Sequence, residues 1–161
     1  MKVNHDSSLF PYSVFLGGTC GTSTFRTGYE PGQEPEDGSV KPDSLIGMLD
    51  PGIMYFNPQL KPGEWNDDAA EAEDLCKSVA PILVWIISPE GLGTYSGYEI
   101  RDLAERTPEN LIFCAIGDLK DQAKGVAKIK KDLRANHPKV TVCDSLEEVA
   151  KEVTRRYGEI S

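Results

Sequence analysis

Residues 82–100 read ILVWIISPEGLGTYSGYEI and place a strand, a tight turn and a helix in succession. The first six residues are apolar, mostly branched and uncharged, which is typical of a buried strand. A glycine-rich turn follows, and the helical pattern after it has one carboxylate, Glu99, in its first turn. Open α/β sheets bind ligands at the carboxyl ends of their strands. The stretch therefore predicts that Glu99 lies where such folds carry out chemistry.

Strand and helix patterns alternate along the chain. The predicted strands are 12–16, 53–56, 82–87, 111–116 and 140–142, and the predicted helices are 43–49, 66–79, 96–106, 121–136 and 145–156. This alternation predicts one α/β domain over residues 1–161, with a doubly wound, five-stranded, mainly parallel sheet. Residues 27–43 are rich in glycine, proline and acidic residues, and we expect them to form a long loop or lid.

The composition argues against several classes of function. The chain has 161 residues, of which 39% are hydrophobic and 27% charged, as in an ordinary folded domain. Its net charge of −9 argues against a nucleic acid polymer as partner. We expect no membrane partner and a cytoplasmic location, because no apolar stretch is long enough to span a bilayer and no signal-peptide core follows the N-terminus.

The cysteines and histidines give little support to a metal, disulfide or triad site. The four cysteines are widely spaced and form no CxxC pair, so they are expected to be reduced thiols. They are Cys20, Cys76, Cys114 and Cys143. Neither His5 nor His137 stands beside a promising partner for a Ser–His or Cys–His pair.

Four loops are predicted to meet at the carboxyl edge of the sheet, at 17–26, 57–65, 88–99 and 117–121. The amide of Gln59 can both donate to and accept from a nucleobase edge, and Trp65 or Tyr98 can stack on the base. Glu99 is placed to attack a sugar carbon, as the nucleophile of a retaining glycosidase does. The candidate binding residues are Gly17, Gly18, Arg26, Asn57, Gln59, Trp65, Glu90, Ser96 and Tyr98.

Each candidate also has an ordinary structural explanation. Ser96 and Glu99 have the spacing of a capping box, in which Glu99 would only tie back a helix terminus. The Gly17–Gly18 pair fits a simple strand-to-helix turn, and Trp65 fits a core position. Acidic residues on the helix 66–79 are typical of a solvated face, and an arginine such as Arg26 is more often a surface residue than a phosphate ligand.

Three pieces of the chain, taken in order, resemble the nucleoside 2-deoxyribosyltransferase family, especially its "like" branch. The first is VFLGGT at 14–19 with Phe25-Arg26, and the second is YFNPQ at 55–59 with Trp65. The third is the strand 82–87 followed by SPE at 88–90 and GYEI at 97–100. The resemblance spans roughly residues 12–104.

The resemblance implies a flavodoxin-like (Rossmann-like) domain that assembles as a homo-oligomer and needs no cofactor. It implies that Glu99 is the nucleophile that attacks the anomeric carbon of a 2-deoxyribosyl group. Gln59 would face the nucleobase, and Glu73 or Asp74 would protonate or hold it. Gly17 and Gly18 would lie against the nucleoside. The substrates would be a 2′-deoxynucleoside and a free nucleobase.

Two positions depart from the family pattern. Gly93 stands where family transferases commonly carry an aspartate that holds the sugar 5′-hydroxyl, a role that Glu90 can take over if the loop differs. Arg101 stands where many members have a glycine.

Related deoxynucleoside-monophosphate hydrolases lack that aspartate and surround a 5′-phosphate with hydroxyl groups and backbone amides. Thr94, Ser96 and Arg26 would fill those positions here. The first expectation is therefore a transferase, and the alternative is a 2′-deoxynucleoside 5′-monophosphate N-glycosidase. A non-catalytic nucleotide-sensing module, with Glu99 as a helix cap, is the third.

Overall fold

A computed structural model describes residues 13–60, 63–64, 66–91 and 94–160. Within this part of the chain, the strands are β1 (Val14–Gly18), β2 (Tyr55–Phe56), β3 (Ile82–Ile87), β4 (Leu111–Ala115) and β5 (Thr141–Cys143). The helices are α1 (Leu45–Met48), α2 (Asp67–Val79), α3 (Thr94–Arg106), α4 (Ala123–Asn136) and α5 (Leu146–Ile160). Single 3₁₀ turns occupy Pro108–Asn110 and Lys120–Gln122.

All strand pairs are parallel, and the strand order is β2-β1-β3-β4-β5. This is the order of a flavodoxin-like, doubly wound sheet, with its switch point between β1 and β3. The fold class predicted from the sequence is confirmed. The switch point lies beside the turns that follow these two strands, which is where this class of fold places its ligands.

The sheet is covered on both faces, which explains why β3 has no polar residue. On one face α2, α3 and α4 pack against a core that includes Phe15, Trp85 and Phe113. On the other face α1 and α5 pack against Leu16 and Val84. Every residue of β3 is buried because the strand is central and both its faces are covered.

Several element boundaries differ from those predicted. β1 extends to Gly18 because its two glycines continue the pairing with Trp85 and Ile86, although they add no apolar signal. α3 begins at Thr94, two residues earlier than predicted. α5 continues to Ile160, supported by an Arg155–Glu159 ion pair of 2.6 Å.

The cap at the start of α2 helps to set which residues of this helix face the core and which face α3. The Asn66 side chain accepts from the Ala69 amide at 2.8 Å, as expected of the predicted cap. Ala72 and Cys76 then face the core. Glu73 and Lys77, one residue further round the helix, lie beside the core on the side of α3.

Residues 27–43 consist of turns and bends whose two ends are tied together. The Lys41 amide donates to the Thr27 carbonyl at 2.8 Å, and the Lys41 ammonium lies 5.0 Å from the centre of the Tyr29 ring. Gly28 has a φ of 88°, and a β-carbon there would lie 2.6 Å from the Lys41 side chain. The loop is therefore anchored at its base, and its role as a lid remains a prediction.

None of the helices in the described ranges has the length and apolar character that crossing a membrane requires.

Candidate active site

The Gly17–Gly18 turn brings β1 into close contact with β3. A β-carbon on Gly18, whose φ is 114°, would collide with the Ile86 carbonyl. A β-carbon on Gly17 would lie 2.6 Å from the Trp85 ring and 2.7 Å from Phe15. Both glycines are thus required by packing within the protein. A nucleoside contact at this turn stays a prediction.

Thr19 joins the loop after β1 to the loop after β3. Its hydroxyl donates to the Gly91 carbonyl at 2.9 Å and accepts from the Ser88 amide at 3.1 Å. Glu90 lies exposed in this second loop. The Ser88 hydroxyl is buried and has no hydrogen-bond partner among the described residues, so this loop offers a polar group that the sequence did not single out.

Arg26 lies beneath the turn after β1 and is completely buried. Its Nε donates to the Leu16 carbonyl at 2.9 Å, and its Nη1 donates to the Thr19 carbonyl at 2.7 Å. The guanidinium also stacks 4.3 Å over the Phe25 ring. A buried guanidinium with these contacts does not fit the expected contact with a 5′-phosphate, nor an ordinary surface position. It supports the turn from inside.

Asn57 and Gln59 connect the loop after β2 to this same turn. Asn57 is buried, and its side-chain oxygen accepts from the Gln59 amide at 3.0 Å. The side-chain nitrogen of Gln59 donates to the Ser23 carbonyl at 2.8 Å and the Gly21 carbonyl at 3.2 Å. The structure therefore places Gln59 at the predicted edge, with its nitrogen engaged by the protein.

Glu99 lies in the second turn of α3 and forms an ion pair with α2. Lys77 Nζ lies 3.1 Å from Glu99 Oε1 and 3.6 Å from Glu73 Oε1. The side chains of Lys77 and Glu99 are each 16% exposed, and that of Glu73 is 20% exposed. Three charged groups from two helices thus share one largely buried cluster.

The sequence left open whether Glu73 or Asp74 is the acid that acts with Glu99, and the two differ in burial. Asp74 lies 3.5 Å from Lys77, but its side chain is 78% exposed. Glu73 is enclosed and contacts the same ammonium as Glu99. Glu73 is therefore the better-placed partner of Glu99, since an exposed carboxylate interacts weakly through water.

The capping-box explanation of Glu99 is wrong. Ser96 lies inside α3, which begins at Thr94, so it does not occupy the N-cap position. The Glu99 carboxylate instead accepts from Lys77 on the neighbouring helix. Helix capping by Ser96 therefore does not account for this carboxylate.

The balance of burial and neighbouring charges raises the pKa of both Glu73 and Lys77. Burial raises the pKa of Glu73 and the charge on Glu99 adds to this, while Lys77 opposes it. Burial alone would lower the pKa of Lys77, but the carboxylates around it outweigh that effect and raise it. Lys77 is thus held as a cation, and Glu73 keeps a proton more readily than an ordinary glutamate does.

Cys20 lies within the electrostatic reach of the same cluster. Cys20 is exposed as a residue, but the atoms packed around its sulfur desolvate the thiol and raise its pKa; Arg26 lowers it, and the charges on Glu73 and Glu99 raise it further. The charges on α2 and α3 therefore act on the thiol that follows β1.

A surface cavity of about 330 Å³ opens between α2 and α3. Lys77 and Glu99 line it, and so do Asp74 and Tyr98. Tyr98 is mostly exposed, so its ring is open to a partner and does not belong to the core. Lys77 was missed by the sequence analysis, although its spacing of four residues from Glu73 was a visible signal.

Four other positions named in the sequence analysis are not fully described. Trp65 and Gly93 lie outside the described residues, as do the side chains of Thr94 and Ser96. Their predicted contacts with a nucleobase or a sugar 5′ end therefore remain predictions.

Thiol chemistry gives a first test of the site. We expect iodoacetamide to label Cys20 in the native protein about tenfold faster than any other cysteine, because Cys20 is exposed. The other three are buried, and burial raises their pKa to about 12 for Cys76, about 12 for Cys114 and about 11 for Cys143. Peptide mass spectrometry reads the rates, and a bound nucleoside should slow labelling of Cys20. Equal labelling of Cys76 would contradict this arrangement.

No match was found for the chain among models of protein families, among curated proteins or among solved structures.

Proposed function

We propose that the protein is a nucleoside 2-deoxyribosyltransferase, which exchanges the base of a 2′-deoxynucleoside through a covalent 2-deoxyribosyl intermediate on Glu99. The observation that carries the proposal is the pairing of Glu99 with Glu73 around Lys77. The two carboxylates come from the helices that precede and follow the central strand β3. The family resemblance of the sequence names the same glutamate.

The reaction needs a carboxylate nucleophile and an acid. The base leaves as its ring nitrogen is protonated, and positive charge develops on the sugar. Glu99 captures the anomeric carbon as a glycosyl ester, and a second base then attacks that carbon with net retention of configuration. Glu73 suits the role of the acid because burial raises its pKa.

The remaining candidates would bind the substrate at the carboxyl edge. Gly17 and Gly18 present backbone to the nucleoside, and Gln59, Trp65 and Tyr98 would hold the base. This part of the proposal rests on their position along the chain and on the hydrogen bonds that join the loops after β1, β2 and β3.

Hydrolysis of 2′-deoxynucleoside 5′-monophosphates is the second candidate. α3 runs for 13 residues from Thr94 and has no acidic residue in its first turn. The N-terminus of such a helix favours a phosphate, because its free amide groups and its dipole attract negative charge. The burial of Arg26 removes one phosphate ligand that this candidate had from the sequence.

One assay separates the candidates. We expect incubation with a deoxynucleoside and a second free base to yield the exchanged nucleoside, with ping-pong kinetics, by liquid chromatography. A hydrolase would release deoxyribose 5-phosphate from monophosphates at a rate that added base does not change. Turnover with neither substrate, together with tight nucleotide binding, would support the sensing module. Glu99→Gln is the matched control, since it retains the size of the side chain and loses the nucleophile.

We further propose that the protein acts in the cytoplasm as a homo-oligomer. Its four cysteines are free thiols, as a reducing compartment requires. Leu75 and Val79 form an exposed apolar pair on α2, which suits burial against another copy.

A further inference from the structure

Lys77 occupies a central position that the resemblance does not explain. Its ammonium lies between a carboxylate of α3 and a carboxylate of its own helix, at 3.1 Å from Glu99 and 3.6 Å from Glu73. We propose that Lys77 is a positioning residue whose single positive charge pairs in turn with Glu99 and Glu73, as one negative charge passes between them during catalysis. This inference rests on the proposed function.

The charge balance of the first half-reaction defines the proposal. In the proposed first half-reaction, Glu99 enters as the carboxylate nucleophile and Glu73 as the protonated acid. The proton of Glu73 goes to the leaving base, the bond between the base and the sugar breaks, and an oxygen of Glu99 bonds to the anomeric carbon. Glu99 is then a neutral ester and Glu73 a carboxylate. The second half-reaction reverses these changes with a new base, so the pair carries one negative charge in both states.

The unequal distances fit the resting state. The Lys77 ammonium donates a hydrogen bond to Glu99 at 3.1 Å, whereas its contact with Glu73 is the longer one. The hydrogen bond from Lys77 to Glu99 uses Oε1 of that carboxylate, which has a second oxygen for the attack on the sugar. A negative charge on either carboxylate of this enclosed cluster costs free energy if no cation lies beside it. Because Lys77 contacts both carboxylates, this free-energy cost stays low in each state of the reaction.

The surrounding charges do not change with the reaction. On α2, Asp74 lies 3.5 Å from the Lys77 ammonium, but its side chain is 78% exposed and water screens its charge. The thiol of Cys76 is neutral because burial raises its pKa to about 12. On α3, Asp102 and Arg106 form their own ion pair at 2.6 Å. From the turn after β1 come the thiol of Cys20, whose pKa is raised, and the buried cation of Arg26. The moving charge is therefore confined to Glu73 and Glu99.

A titration tests the charge transfer without any turnover. Glu99→Gln makes residue 99 neutral, as the ester would, and carbon-13 NMR of the side-chain carboxyl follows Glu73. Lys77→Met should raise the pKa of Glu73 in both backgrounds, and by about half a pH unit or more further in Glu99→Gln, where Glu99 no longer shares the charge of Lys77. An equal rise in the two backgrounds would overturn the proposal.

Single-turnover kinetics test the consequence for catalysis. Lys77→Met should slow release of the first base by about a hundredfold and shift its pH profile, whereas Lys77→Arg should stay within about tenfold of the native rate. Arg101→Met is the matched control, because Arg101 is an exposed cation on α3 that pairs with Glu105. A native rate and pH profile in Lys77→Met would overturn the role of Lys77.

A failure of the proposed function can be told apart from a failure of the proposal for Lys77. If the native protein releases no base from deoxynucleosides or their monophosphates, the proposed function is wrong. The titration of Glu73 then still decides whether Lys77 serves both carboxylates in turn.

Discussion

Glu99→Gln is expected to lower the rate of base exchange by roughly a thousandfold or more while leaving the fold intact, because an amide cannot form the glycosyl ester. The side chain lies on α3 at the edge of the cluster and fills no core position. Lys77 keeps Glu73 and Asp74 as partners after the change. The free energy of unfolding should therefore fall by about 1 to 2 kcal/mol, since the amide oxygen can still accept a hydrogen bond from Lys77.

The adduct provides the direct measurement. With a 2-fluorinated deoxynucleoside, intact-mass spectrometry should show one added glycosyl group on the native protein and none on Glu99→Gln, because fluorine slows breakdown of the ester. Glu105→Gln is the control, since it changes an exposed glutamate of the same helix. Near-native exchange by Glu99→Gln, with a native circular dichroism spectrum, would exclude Glu99 as the nucleophile.

The fold was predictable because its signals are local. The apolar run of β3 and the alternation of strands with helices required only the pattern of side chains along the chain. The end of β1 was missed because Gly17 and Gly18 join the sheet through backbone pairing, which leaves no trace in hydropathy. Such errors concern two residues at an element end and do not alter the topology.

The site was predictable only where one residue carried the signal. Glu99 lies on the helix that follows the central strand, as the order of patterns in the sequence predicts. The choice between Glu73 and Asp74 required the rotation of α2 relative to α3, which decides which of two adjacent acids is enclosed. The role of Lys77 depends on the same packing, because its contact with Glu99 joins residues 22 positions apart.

Arg26 shows a second limit of prediction from the sequence, which concerns contacts with the backbone. Its partners are the backbone carbonyls of Leu16 and Thr19, and their directions depend on the path of the turn. No side-chain pattern marks such a partner. The sequence therefore predicted a ligand for a phosphate at a position where the structure has a buried support for the turn.

Arg26→Met is accordingly expected to lower the free energy of unfolding by about 2 to 4 kcal/mol, because the buried Leu16 carbonyl loses its donor from Arg26 and the Thr19 carbonyl keeps only the hydrogen bond from Ser23. Urea denaturation followed by circular dichroism measures the change. Arg101→Met, which removes an exposed arginine, should change stability by about 0.5 kcal/mol or less. Arg26→Lys should fall between the two, since an ammonium can reach only part of the fork of contacts.

Unchanged stability of Arg26→Met with weaker nucleotide binding would support the contact with a 5′-phosphate that the sequence predicted for Arg26. If Arg26→Met unfolds at the native urea concentration but loses tenfold or more in affinity for a deoxynucleoside 5′-monophosphate, the guanidinium turns outward to the phosphate when substrate binds. A loss of stability with unchanged affinity per folded molecule would instead assign Arg26 to the support of the turn that carries Thr19 and Cys20. Binding measured at several urea concentrations separates these outcomes, because under the structural role the total binding falls only as the folded fraction falls.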